Sequence, residues 1–92
     1  NATKSVKGND SLSVDKNRSA NVKEDDATKV GKNLIIDAGD SVIIKTGKAS
    51  ISMKKDGTIV IKGKDITVDG SGKINAKANS DIIMKGSKIL QN

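Results

Sequence analysis

Two short stretches of this 92-residue chain carry side chains that could do chemistry. Glu24-Asp25-Asp26 gathers three carboxylates, the hard oxygen donors that a cation such as calcium takes. No glycine-spaced ligand loop surrounds them, so they read as a solvated corner. Gly70-Ser71-Gly72 followed by Lys73 has the glycines and the lysine of a phosphate cradle, but the Walker spacing is missing, and Gly-Ser-Gly is an ordinary corner. Serines are plentiful as potential nucleophiles, yet the chain has no His to serve as a base and no nucleophile-elbow motif. The absence of Cys and His excludes disulfides, thiol nucleophiles and the usual zinc sites. The chain is therefore read as not an enzyme, with no catalytic residue, cofactor or metal ion expected. Asn1-Ala2-Thr3, Asn9-Asp10-Ser11 and Asn17-Arg18-Ser19 match the N-glycosylation pattern. They are spaced by eight, so a repeat with Asn at one corner accounts for them, and they are read as turns.

That spacing of eight points to the elements behind the side chains. The chain lacks Phe, Trp, Tyr and Pro, and 34% of its residues are hydrophobic, mainly Ile, Val and Ala. A round domain of this size normally fills its centre with aromatic rings, which bury a large area each. Small domains are marginal even with such a core. An elongated object or an obligate oligomer is expected instead. The first residue is Asn1 rather than Met, so the sequence reads as a piece of a longer protein. No apolar run approaches a membrane span, and no signal peptide is visible. Net charge is +6, from 17 Lys and Arg against 11 Asp and Glu. The lysines are spread between apolar positions, as on a solvated face, and no aromatic ring is present for base stacking. A nucleic-acid partner is not expected; such a module would bind DNA or RNA in a salt-dependent way.

Written in eights from Val30, the chain reads VGKNLIID, AGDSVIIK, TGKASISM, KKDGTIVI, KGKDITVD, GSGKINAK, ANSDIIMK and GSKILQN. The second column holds the corners Gly31, Gly39, Gly47 and Gly63, then Ser71, Asn79 and Ser87, all turn-favouring residues, with Lys55 the exception. The fifth and seventh columns are two apart and so share one face of a strand. Each unit is thus a short strand with a corner of about three residues. The middle units run one place late: Val42 to Ile51 is nine residues, Ile51 to Ile59 eight, Ile59 to Ile66 seven. A slip of one flips the inward face, so a bulge or an altered corner must absorb it. Lys55 without turn character, and Gly57 two places on, fit that reading. The predicted core-facing residues are Leu34, Ile36, Val42, Ile44, Ile51, Met53, Ile59, Ile61, Ile66, Val68, Ile74, Ala76, Ile82, Met84 and Leu90. Ser50, Ser52 and Thr58 then turn outward. Residues 1–30 keep the period in another register, through Val6, Val14, Val22 and Val30. They form a more polar, weaker N-terminal stretch, and residues 31–92 form the regular one.

Three octads complete one turn of a triangular prism. A lone chain would make about four turns with open ends and no caps. Three chains winding together would stack strands at ~4.8 Å, and eleven octads would give a rod of roughly 50 Å. Nearly every strand edge would then be paired. The expected fold class is an all-β, intertwined triple-stranded β-helix formed by a homotrimer. The competing reading is a monomeric β-solenoid with a protein- or glycan-binding surface.

The octads "GKNLIIDAGDSVIIKTG", "DGTIVIKGKDITVDGSGKINAKA" and "IIMKGSKILQN" resemble the C-terminal needle of VgrG proteins, the valine-glycine-repeat spikes of type VI secretion systems. The valine-glycine signature itself is poor, since only Val6-Lys7-Gly8 fits. The resemblance implies a homotrimeric spike that sits on the secretion tube, pierces the target envelope and carries effectors, following a baseplate-like body. It also implies assembly in the bacterial cytoplasm and ejection into a target cell. The tip of such needles takes a conical PAAR-repeat protein. The matching positions here are the last octads, Met84 to Asn92, with Ile89, Leu90, Gln91 and Asn92 as tip contacts. Related phage spikes hold iron through His-x-His motifs, which this chain lacks.

Overall fold

The computed structural model describes residues 3–92. Asn1 and Ala2, and with them the Asn1-Ala2-Thr3 motif, lie outside the described residues. The described chain is all-β: its regular elements are three strands and no helix. They are β1 (Ser41–Thr46), β2 (Ala49–Lys54) and β3 (Ile59–Lys62), joined as an antiparallel sheet in the order β1-β2-β3. Their sequences, SVIIKT, ASISMK and IVIK, are rich in the branched residues that fit a pleated surface.

Two different loops make the reversals. Gly47 and Lys48 form a two-residue loop that pairs Thr46 with Ala49. Gly47 has φ +52° and Lys48 has no positive φ. Positive φ at the first loop position alone is the type II′ arrangement, whose twist matches the flanking strands. The second loop has three residues, Lys55, Asp56 and Gly57. Gly57 N–H donates to Lys54 C=O at 3.0 Å, and Lys54 N–H donates to Thr58 C=O at 3.0 Å. Gly57 has φ +97°, which completes a turn ending in a glycine bulge. Thr58 N–H donates to Asp56 Oδ1 at 3.0 Å. This bond, then one from the Thr58 hydroxyl, holds the Asp56 carboxyl below the usual carboxylate range.

These loops give the physical reason for the nine, eight and seven steps. In β1–β2 the partners are Val42↔Met53 and Ile44↔Ile51, so even positions face odd ones. An even-membered loop makes that change of parity unavoidable. In β2–β3 the partners are Ile51↔Ile61 and Met53↔Ile59, odd with odd, across a three-residue loop. The change of face therefore lies at the Gly47–Lys48 loop, and the Lys55–Gly57 loop, where the altered corner was expected, keeps odd positions opposite odd ones. The strands on either side of it run antiparallel within one chain, a reversal that the octad columns do not specify.

Outside the sheet the backbone is extended and bends at fixed intervals. The chain divides by proximity into Asn1–Ile35 and Ile36–Asn92, five residues beyond the division at 30/31 read from sequence. In the first unit the bends fall at 7–8, 15–16, 23–24 and 31–32. Val6, Val14, Val22 and Val30 each precede a bend and are 45%, 45%, 50% and 45% exposed, a repeating environment. In the second unit bends fall at 39–40, 64–65, 71–72 and 79–80, with a last one at 87. The bend at 64–65 is one residue late and the next is seven on, so the extra loop residue is taken back there. Gly31 and Gly39 start bends, Gly47 starts a turn, and Gly63 directly precedes its bend.

Among the described residues no side chain is buried. The chain exposes 10617 Å², against about 5,100 Å² for a folded monomer of its mass by the surface scaling law. Residues 3–39 and 63–92 make no backbone–backbone hydrogen bond among the described residues; the three outside the strands all lie at the sheet margin.

Candidate functional site

The residue pairs of the sheet define its two faces, because residues directly opposite in a ladder point the same way. One face carries Val42, Ile44, Ile51, Met53, Ile59 and Ile61, with Thr46 and Ala49 at the Gly47 loop. It bears no charge. The other carries Ser41, Ile43, Lys45, Ser50, Ser52, Lys54, Val60 and Lys62. Ser50 and Ser52 therefore lie opposite Ile51 and Met53. Both serines are half-buried, between taller neighbours on the adjacent strands. On the apolar face even the central-strand residues Ile51 and Met53 stay 43% exposed, and Ile44 and Ile61 are 61% exposed.

Two open hollows extend this face at its ends. One, of about 380 Å³, lies by the Gly47 loop and is lined by Ile44, Ile51, Ile61 and Ile66 together with Lys45, Lys62 and Asp65. The other, of about 200 Å³, lies by the Lys55 loop and is lined by Ile36, Val42 and Met53, with Asp40 and Lys55 beside them. Lys55 N–H donates to Asp40 C=O at 2.9 Å, which carries the ladder one step past Ser41. Lys55 Nζ is also 3.3 Å from Asp40 Oδ1, between exposed side chains. Such a surface pair contributes about 0–1 kcal/mol, so the main-chain bond sets the geometry there. In the first unit Lys4 Nζ lies 3.7 Å from Asp10 Oδ2, again between exposed groups.

The sheet and its flanking segments thus bring together eight of the predicted core residues: Ile36, Val42, Ile44, Ile51, Met53, Ile59, Ile61 and Ile66. Val68, Ile74, Ala76, Ile82, Met84 and Leu90 sit on extended segments and are exposed, as is Leu34 in the first unit. The expected tip residues Ile89, Leu90, Gln91 and Asn92 are exposed as well. Ile43 lies outside the fifth and seventh columns, and Val60 stands in the seventh column but gives way to Ile59 and Ile61 after the slip; on the second face the two flank Ser52 in one row. The signals for that arrangement were Gly47-Lys48 and Asp56-Gly57, two loop pairs between apolar runs.

Glu24, Asp25 and Asp26 are exposed at a bend, and among the described residues no three His, Cys, Asp or Glu side chains gather around one point. Ser71 and Gly72 occupy an exposed bend, with Lys73 exposed beside it. No helix among the described residues is long and apolar enough to cross a membrane. The feature with the most chemical content among the described residues is the uncharged apolar face, which suits contact with a hydrophobic surface. No family model, curated protein or solved structure matches this chain.

Proposed function

We propose that this chain is a length of the needle of a contractile injection system, a VgrG-like spike of type VI secretion. In this reading three copies wind into an intertwined triple-stranded β-helix that pierces a target envelope. Its last residues, Ile89 to Asn92, present a tip for a PAAR-repeat cap and for secreted effectors. It is assembled in the bacterial cytoplasm and ejected, it works mechanically, and it needs no cofactor.

The observation that carries the reading is the combination of a bend every eight residues with extended backbone that finds no partner in its own chain. An extended segment exposes a row of N–H and C=O groups that calls for a neighbouring strand. Where one chain supplies none over residues 3–39 and 63–92, other chains are the natural source. The exposed apolar residues have the same need. Each octad is too short to shield them, and three octads around an axis enclose them. Ile, Val and Leu suit the narrow centre of such a tube. A lone solenoid would stack each turn on the one before within a single chain, and the ladders of residues 41–62 instead pair successive segments antiparallel.

Light scattering on the purified 92-residue chain tests the reading. A mass near three times 9.6 kDa, unchanged on dilution, is the expected result. A single-chain mass at every concentration overturns it.

A further inference from the structure

Residues 41–62 differ from the rest of the chain in satisfying their ladders internally. Among the described residues every other extended segment lacks an in-chain backbone partner, whereas β1, β2 and β3 pair with one another. We infer that this stretch switches from between-chain to within-chain pairing inside the rod, and that its face of Val42, Ile44, Ile51, Met53, Ile59 and Ile61 is covered by the same face of two further copies of this chain. The inference rests on the trimeric reading above.

Charge identifies a copy as the occupant. A threefold axis brings each residue near its own equivalents. Like charges meeting there would repel, so only an uncharged face can pack on itself. All charged strand residues, Lys45, Lys54 and Lys62, lie on the opposite face, although the chain carries a net +6. Continuity supports the same occupant. Ile36 borders the face at one end and Ile66 at the other, so the apolar column enters from the preceding octad and leaves into the following one. The occupant that closes the octads on either side is thus the one that meets this sheet. The edges β1 and β3 are the points where within-chain ladders give way to between-chain ladders. Inside this stretch the three chains lie side by side and are not wound around one another.

Cysteine cross-linking separates the two pairing modes. Thr46–Ala49 closes a two-residue loop, and Lys55 N–H bonds Asp40 C=O. Hydrogen-bonded and non-hydrogen-bonded pairs alternate between those points, so Ile43↔Ser52 and Ser41↔Lys54 are non-hydrogen-bonded. Their Cα atoms then lie ~4.5 Å apart, within disulfide reach. The double variant Ile43→Cys with Ser52→Cys is oxidised with diamide, and the single variants serve as controls. It is then read by non-reducing denaturing electrophoresis and, undenatured, by light scattering. The expected result is a three-chain mass in solution and a cross-linked species of one-chain mass after denaturation. Cross-linked dimers and trimers that need both cysteines would overturn the switch and leave the trimer standing. A one-chain mass in solution would overturn the trimer, and with it the assignment of the face to further copies. Ser41→Cys with Lys54→Cys repeats the measurement if the first pair does not fold.

Discussion

Gly57 holds φ +97° with nothing within 4 Å of where a Cβ would sit. Space is therefore not its constraint, and backbone conformation is. An L side chain in that region costs about 1–3 kcal/mol, and the loop that Gly57 closes sets the register of β3 through two hydrogen bonds at Lys54. Gly31 also has open space around it, but no positive φ. Gly57→Ala is accordingly expected to lose about 1–3 kcal/mol per chain, read as a lower urea midpoint. Gly31→Ala should stay within about 0.5 kcal/mol, as surface changes away from special backbone usually do. Equal losses at both positions would mean that Gly57 does not hold the left-handed conformation. The Asp56 carboxylate supports the same turn by accepting the Thr58 N–H, so side chain and backbone specify one loop together.

The sheet as an element is under-covered. Its apolar residues stay exposed, and cross-strand pairs such as Ile44↔Ile51 contribute only about 0.2–1 kcal/mol each. Ile51 and Ser52 are neighbours in sequence but lie on opposite faces. In a single chain Ile51 is 43% exposed, so an aspartate there would meet water and cost little. At a threefold contact three carboxylates would meet in an apolar space, where an unpaired charge is strongly unfavourable. Ile51→Asp is expected to abolish the three-chain species in light scattering, and Ser52→Asp to leave it intact. Loss of assembly in Ser52→Asp with retention in Ile51→Asp would invert the two faces.

At the scale of the whole molecule, stability would come from enclosure rather than from a core within one chain. Intertwined chains must unwind before they separate, so a high barrier to unfolding is expected. Ile66→Asp or Ile74→Asp puts three charges near one axis and should block assembly, leaving no species resistant to heat in detergent. A heat-resistant trimer formed by both variants would mean that these side chains point outward. The positions of the bends were legible in the octads. Gly31, Gly39 and Gly47 mark where the chain turns, and the odd step from Val42 to Ile51 marks an irregular middle. The antiparallel return was not legible as such. Parity alone does not distinguish a bulge between like-directed strands from a hairpin, since both move Ile51 and Met53 onto the face of Val42 and Ile44.

The sequence by itself determined the period of eight, the strand-forming character and the lack of any chemistry that His or Cys could supply, because these depend on residue type and spacing along one chain. Tertiary structure decided that residues 41–62 fold back on themselves and that seven apolar side chains, Ala49 among them, share one uncharged face. Those outcomes depend on which backbone groups pair. Pairing is set by the φ angles available at Gly47 and Gly57 and by the number of residues in each loop, acting through hydrogen bonds that an apolar repeat does not encode.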